Sequence, residues 1–323
     1  DQYIPNSIYP GLISYPYDKT THAVSVLETN KEEYIWQNQN FSAPDNRDLV
    51  IYELLIRDFS FRSDYQTVID SLPHLKELGI NAIELMPIIE FDGLLSWGYA
   101  PTYFFAAEKF YGPEETLKAL IDSCHSNGIA VIMDVVFNHA FQPNPWLRLY
   151  YDKGRDEATS QSPWFNPEPT HPFNVGYDFN HSSPLVHAMV DSVLDYWTSE
   201  FRFDGYRFDL SKGFTQFNSL GNVGLWSNYD WDRINNIKRI STNLWNNHPG
   251  KYVILEHFSE NSEEMELSDH GCMLWGKAHS QYNESTMGFV GNGGDDFEWY
   301  VSNNERGWAY HNLVGFMESH DEE

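Results

Sequence analysis

From residue 49 onward the sequence alternates between short apolar runs and longer amphipathic segments, and this alternation limits the folds open to the chain. The runs at 49–56, 80–88 and 130–136 have the length and composition of strands. The segments between them place apolar residues at helical spacing and stop at Gly79 and Gly128. Strands that alternate with helices predict an α/β fold with a parallel sheet.

The spacing of the later runs predicts a (β/α)8 TIM barrel with a lobe inserted after the third strand. Further strand-like runs lie at 206–210, near 254, at 272–276 and near 316, which gives seven strands. The interval between the third and fourth strands is about twice one strand–helix unit. We therefore expect an irregular domain B at about 140–180. An eighth strand and any C-terminal β domain are expected to lie beyond this sequence, because seven strands cannot close a barrel.

The chain divides into two parts by composition. Residues 1–48 are rich in Pro, Tyr, Asn and Asp and are predicted to be a lead-in or the tail of an upstream module. Residues 49–323 are predicted to form the catalytic barrel with its inserted lobe.

The composition favours a neutral partner. A formal charge of −27 would repel the phosphates of nucleic acid, so nucleic acid is excluded as a partner. Aromatic residues make up 16% of the chain, and aromatic faces suit sugar rings as well as the core. Two cysteines predict neither a disulfide framework nor a metal site.

The sequence leaves the compartment open. It carries no signal peptide and no membrane-spanning apolar run, and the mature form of a secreted protein would look the same. An extracellular or periplasmic location is slightly favoured over a cytoplasmic one.

Four strand-like runs end in polar clusters, at 134–139, 205–212, 254–257 and 316–321. Polar residues at the C-terminal ends of barrel strands are typical of an active site. Three clusters supply a carboxylate, Asp209, Glu256 and Asp321, and glycosidic cleavage needs a carboxylic acid and a second carboxylate. Arg207 lies two residues before Asp209, so both side chains are expected on one side of the strand. We expect this guanidinium to keep Asp209 ionised, as a nucleophile requires.

In order and spacing, the four clusters resemble the four conserved regions of glycoside hydrolase family 13, the α-amylase family. The resemblance covers most of the chain from residue 49 and includes the stretch Trp97-Gly-Tyr-Ala-Pro101 after the second strand. It implies a retaining mechanism in which Asp209 is the nucleophile and Glu256 the general acid/base. It further implies that Asp321, with His320 beside it, binds sugar hydroxyls and favours a distorted ring.

The resemblance also implies roles for residues around the carboxylates. Arg207 would orient Asp209, His139 and Tyr99 would line the subsite of the attacked glucose, and Asp134 would be a structural residue at the centre. Lys212 would contact a sugar on the leaving-group side. Trp275, from its place at the end of the sixth strand, is a candidate for sugar stacking and equally for the core.

The sequence departs from the family pattern at two positions. Many α-amylases carry Lys-His where this chain has Lys212-Gly213, and the meaning of His257 after Glu256 is open. Asn138 matches a position that often binds structural calcium with help from the lobe, so Ca²⁺ is a possible ligand. No organic cofactor is implied.

The leading prediction is a retaining hydrolase that cleaves α-1,4-glucosidic bonds of starch, glycogen or maltooligosaccharides. The main alternative is an enzyme with the same active site that cleaves a different linkage or transfers the glucan to another acceptor. Such an enzyme would be an α-glucan branching enzyme or an α-1,6 debranching enzyme. A non-catalytic glycan-binding protein would be expected to lack a catalytic carboxylate. A metal-dependent barrel hydrolase would want histidines after the first strand, where this chain has none.

Overall fold

Seven parallel strands form one sheet whose strand order follows the chain, which confirms the predicted alternation. The computed structural model describes residues 4–27, 29, 31–93, 96–219, 221–289, 291 and 296–322. The strands are β1 (Ile51–Leu54), β2 (Ala82–Leu85), β3 (Ala130–Val135), β4 (Gly205–Phe208), β5 (Tyr252–Leu255), β6 (Met273–Lys277) and β7 (Leu313–Phe316). All neighbouring pairs are parallel, so the C-terminal ends of the strands meet at one edge.

Helices connect successive strands, as in a TIM barrel. The longer ones are α1 (Tyr65–Glu77), α2 (Glu114–Ser126), α3 (Pro184–Phe201), α4 (Trp231–Asn247), α5 (Asn261–His270) and α6 (His279–Thr286). Short helical turns lie at Asn46–Asp48, Ile56–Phe59, Lys109–Tyr111, Ser211–Gly213, Val223–Ser227, Glu298–Val301 and Asn303–Arg306. α3 begins as its sequence predicts, because Ser183 accepts a hydrogen bond from the Leu185 N–H and Pro184 takes the first helical position.

Two irregular connections leave the C-terminal edge of the sheet. The predicted lobe after β3 contains the helix Pro145–Leu149 and two small antiparallel pairs, His139–Ala140 with Tyr177–Asp178 and Tyr151–Asp152 with Glu157–Ala158. An antiparallel hairpin of Ile89–Phe91 and Pro101–Ala107 follows β2 and was not anticipated. Both connections lie above the ends of the central strands.

The core has two layers. Apolar side chains of the helices pack against the outer side of the sheet. The inner cluster contains Ala82, Ala130, Ile132, Tyr252, Ile254, Met273 and Trp275. Because both sides of the central strands are covered, β3 and β4 are buried along their whole length.

The two ends of the sheet are β1 and β7. β1 is shorter than the predicted run 49–56, since Ile56 already begins a short helix. A cavity of about 700 Å³ lies between the two end strands and is lined by Ile51, Val314 and Trp275 among others. In the described parts of the chain, this parallel sheet has no eighth strand.

The segment before β1 packs onto the helical layer. The backbone N–H groups of Gln37 and Asn38 donate to the Asp122 carboxylate of α2 at 2.7 and 2.8 Å. The Arg202 guanidinium lies 4.5 Å from the ring centre of Trp36. Across the described residues, no helix has the length and apolar character needed to cross a membrane.

Candidate active site

Arg207 lies at the centre of a cluster of three carboxylates. Its side chain is fully buried, and its Nη1 donates to Asp134 Oδ2 at 2.9 Å and to Asp209 Oδ1 at 3.0 Å. Its Nη2 lies 3.1 Å from Glu256 Oε2. One guanidinium therefore joins carboxylates from the ends of three adjacent strands.

The register of the sheet produces this cluster. Arg207 on β4 is paired with Asp134 on β3 and with Ile254 on β5. Because side chains alternate along a strand, residues two positions further on point to the same side. Asp209 follows Arg207 by two, and Glu256 follows Ile254 by two. The sequence prediction that these carboxylates converge agrees with the observed contacts.

Opposing effects act on the pKa of Asp209. Burial and the neighbouring Glu256 carboxylate raise the pKa of Asp209 well above its usual value, while Arg207 acts in the opposite direction. Arg207 thus favours the ionised form of Asp209, and the expectation that it keeps Asp209 ionised stays a prediction. The carboxylates of Asp209 and Glu256 face the single guanidinium of Arg207, and burial disfavours a negative charge on both of them.

Tyr99 connects this cluster to the end of β7. Its hydroxyl donates to Asp134 Oδ2 at 2.7 Å, and its ring stacks on His320 with ring centres 4.8 Å apart. His320 Nδ1 lies 2.8 Å from Glu53 Oε1 on β1. Burial lowers the pKa of His320, but the hydrogen bond and charge of Glu53 outweigh that effect, so the pKa is raised.

Asp321 lies at the rim of the site. Its side chain is 56% exposed, and its Oδ1 is 3.5 Å from His320 Nε2. Asp209 and Glu256 are only 14% and 13% exposed. Asp321 is thus linked to the centre through His320, and its role toward sugar hydroxyls stays a prediction.

Two predicted substrate contacts, His139 and Lys212, are buried. His139 is buried, with Nε2 2.8 Å from the Tyr99 carbonyl oxygen. Lys212 Nζ donates to the Phe258 carbonyl at 2.8 Å and to Ser227 Oγ at 3.2 Å. Sugar binding by His139 and Lys212 stays a prediction.

Trp275 belongs to the inner core, one of the two places that the sequence left open for it, and sugar stacking by its ring stays a prediction. Its side chain is buried in β6. The Arg207 guanidinium lies 4.1 Å from its ring centre, and Phe316 packs against it at 4.7 Å. The indole ring therefore supports the Arg207 cation from inside the sheet.

The contacts described for Asn138 are with protein groups, and calcium binding there stays a prediction. Asn138 Oδ1 already accepts a hydrogen bond from His171 Nε2 at 2.9 Å, and His171 stacks on Trp226. A Cβ on Gly213 would lie 1.7 Å from Asn138 Oδ1, so the Lys212-Gly213 departure makes room for this contact. Among the described residues, no group of three His, Cys, Asp or Glu side chains is arranged to hold a metal ion.

Sequence reasoning missed several residues that shape the site. Glu53 and Glu84 stand inside the sheet, and an acidic residue within an apolar strand is a signal that could have found them. Leu210 donates its backbone N–H to Glu256 Oε2 at 2.8 Å. No side-chain pattern marks such a backbone contact.

Comparison with known proteins agrees with this geometry. The family model described as the α-amylase catalytic domain matches residues 37–183. The chain belongs to the α-amylase family. The conserved fold of that family is the TIM barrel, and the seven parallel strands described above form part of it.

Among curated proteins, the α-amylase family member malto-oligosyltrehalose trehalohydrolase of Saccharolobus solfataricus is 32% identical over 63% of this chain and 34% of its own length. Isoamylase SU1 of Zea mays is 31% identical over 70% of this chain and 29% of its own length. The chain thus spans about a third of the length of these relatives.

Solved structures support the family fold. Amy13B of Eubacterium rectale has a TM-score of 0.66 and 20% identity, covering 84% of this chain and 58% of that one. Type I pullulanase of Bacillus subtilis, solved with maltose, has a TM-score of 0.55 and 24% identity, covering 72% and 34%.

Proposed function

We propose that the protein is a retaining glycoside hydrolase that acts on α-glucans, with Asp209 as nucleophile and Glu256 as general acid/base. The observation that carries this proposal is the contact of both carboxylates with the single guanidinium of Arg207. Retaining enzymes need carboxyl groups about 5 Å apart, whereas inverting enzymes need a wider gap for water. Two carboxylates on one guanidinium support the shorter separation.

The proposed mechanism needs an ionised Asp209 and a protonated Glu256. Burial and the charge of Glu256 raise the pKa of Asp209, and the contact with Arg207 opposes this by favouring the ionised carboxylate. In the first step, Asp209 attacks the anomeric carbon while protonated Glu256 gives its proton to the departing glycosidic oxygen. In the second, Glu256 takes a proton from water, and that water releases the sugar from Asp209.

Cleavage of α-1,4-glucosidic bonds is the proposed linkage specificity, on starch, glycogen or maltooligosaccharides. The family membership supports an α-glucan. Trp97 has an exposed ring, and Asp321 lies at the rim of the site. Both side chains are accessible to a neutral sugar chain at the mouth of the site. A neutral glucan also suits a chain with a formal charge of −27.

Debranching at α-1,6 linkages is the second candidate. The relatives named isoamylase and the structural neighbours named pullulanase favour it. The two candidates share the carboxylate pair and differ in the glucan that reaches it.

The test compares wild type with Asp209→Asn and Glu256→Gln on maltoheptaose, amylose and pullulan. Both variants should lose at least about 10³-fold in kcat, because each removes a group that acts in the transition state. Asp195→Asn, an exposed aspartate on α3, is the matched control and should keep wild-type turnover. Chromatography of the products separates α-1,4 from α-1,6 cleavage.

NMR of the first product gives the stereochemistry. An α-anomer is expected. An initial β-anomer, or wild-type turnover in either active-site variant, would contradict the proposed mechanism.

A further inference from the structure

The turn after β4 binds the Glu256 side chain through a residue in an unfavourable conformation. Leu210 has φ 44° and ψ 42°, in the left-handed region that branched L-residues avoid at a cost of about 1–2 kcal/mol. In this conformation its N–H donates to Glu256 Oε2 at 2.8 Å. Strained backbone persists only where its surroundings hold it in place.

Ser211 connects this turn to the end of β5 by hydrogen bonds. Its N–H donates to the Glu256 carbonyl at 3.0 Å, and its Oγ donates to the same oxygen at 2.8 Å. Its Oγ also lies 2.9 Å from His257 Nδ1. The backbone of Glu256 and the turn that holds its side chain are therefore joined through one serine.

A buried chain of polar side chains continues from Ser211. His257 Nε2 lies 2.6 Å from Glu263 Oε1. Arg233 donates from Nε to Glu263 Oε1 at 2.5 Å and from Nη2 to Oε2 at 2.7 Å. All four side chains are at most 1% exposed, and buried charges of this kind are stable only when fully paired.

Ser211, His257 and Glu263 have the residue types of a hydrolytic triad, but their placement excludes that role. Ser211 is completely buried, and its Oγ contacts the carbonyl oxygen of Glu256. A nucleophilic serine must reach substrate. The arrangement instead acts on the backbone that carries Glu256.

We propose that Ser211, His257 and Glu263 are positioning residues for the acid/base step of Glu256, an inference that rests on the proposed function. The chain holds the Leu210 turn, and that turn together with Arg207 holds Glu256 Oε2. Oε1 then carries the proton that passes to the glycosidic oxygen, while the electron pair of the broken bond stays on that oxygen.

The experiment compares Ser211→Ala with Ser241→Ala. Ser241 is a matched control, since it is a fully buried serine whose Oγ donates to the Ile237 carbonyl within α4. Each variant is assayed on maltoheptaose and on α-maltosyl fluoride. Fluoride is a weakly basic leaving group that needs no proton from Glu256. Azide is added in the fluoride assay because it attacks the glycosyl-enzyme without a general base.

Ser211→Ala should lower kcat on maltoheptaose by about 10–100-fold, part of the 10²–10⁴-fold that general acid catalysis supplies, with little change in KM. Its turnover of the fluoride with azide should stay within about threefold of wild type, as should both activities of Ser241→Ala. Equal losses on both substrates, or equal losses in both serine variants, would overturn the proposal.

Crystal structures of the two variants separate this proposal from the proposed function. The Leu210 N–H to Glu256 Oε2 contact should be lost in Ser211→Ala and kept in Ser241→Ala. An unchanged Glu256 side chain in Ser211→Ala would overturn the positioning role whatever the activity. If wild type turns over neither substrate, the proposed function fails, and the positioning of Glu256 is decided by these structures alone.

Discussion

At the scale of single residues, Arg207 sets the electrostatics of the site. Its guanidinium contacts Asp134, Asp209 and Glu256, and its face lies on Trp275. The planar fork of arginine can serve several carboxylates at once, whereas the ammonium of lysine acts as a point charge. The charge on Asp209 therefore depends on the shape of this side chain as well as on its charge.

Arg207→Lys should shift the acidic limb of the pH–rate profile to higher pH. Arg207 lowers the pKa of Asp209 against the opposing effects of burial and Glu256. A weaker contact raises that pKa further, so the ionised nucleophile is lost at a higher pH as acid is added. The profile of kcat/KM against pH checks this shift, and kcat at neutral pH should fall at least about tenfold.

Arg239→Lys is the matched control for that substitution. Arg239 forms a two-oxygen ion pair with Asp191 at 2.9 and 2.8 Å between the α4 and α3 helices. Its replacement should leave the pH–rate profile unchanged. A profile that moves to lower pH in Arg207→Lys would show that Arg207 does not stabilise the ionised nucleophile.

The residue-scale contacts differ in how far the sequence predicts them. The pairing of Arg207 with Asp209 follows from a spacing of two along a strand, which fixes the side of the sheet. The hydrogen bond from the Leu210 N–H to Glu256 Oε2 depends on the left-handed backbone conformation of Leu210 in the turn after β4. Leucine gives no local signal for that conformation, so the tertiary structure alone reveals it.

At the scale of elements, His171 links the lobe inserted after β3 to the barrel. Its Nε2 donates to Asn138 Oδ1 after β3, and its ring stacks on Trp226 with an angle of 8° between the planes. An imidazole N–H thus links the lobe to the end of β3 at the position where the family resemblance implies calcium. The sequence predicted the lobe from its length, but the donor that reaches Asn138 lies about 30 residues away and carries no local signal.

His171→Ala should destabilise the protein by about 1–3 kcal/mol, because it leaves the buried oxygen of Asn138 without its donor. The melting temperature of wild type should be the same in EDTA and in CaCl2. His248→Ala, which removes a surface contact with Asp195, should cost less than about 1 kcal/mol. A wild-type melting temperature that falls in EDTA and returns with calcium would contradict the His171 link.

At the scale of the whole molecule, strand order was predictable and the path between strands was less so. Apolar runs separated by helical periodicity predicted all seven strands, since a parallel sheet buried on both sides needs such runs. The hairpin of Ile89–Phe91 and Pro101–Ala107 was missed because it interrupts a strand–helix unit without changing its order. The sequence left Trp275 equally open to the core and to sugar stacking, because a strand end alone does not tell rim from interior.

The charge balance of the whole chain predicts that salt stabilises it. The chain has 47 acidic and 20 basic residues, so many acidic residues have no basic partner. Added salt weakens the repulsion among these acidic residues as well as the attraction within the ion pairs. Exposed ion pairs contribute at most about 1 kcal/mol each, and a surplus of 27 negative charges makes repulsion the larger effect.

The melting temperature should therefore rise when NaCl is increased from about 0.01 M to about 0.15 M, over which the screening length falls from about 30 Å to about 8 Å. Scanning calorimetry measures this rise. Sucrose at equal osmolality serves as the control, because it is uncharged and screens nothing. A melting temperature that falls with salt would mean that the ion pairs of the folded chain outweigh its net repulsion, and it would place the stabilising charges in solvent-accessible pairs such as Lys238 with Glu266.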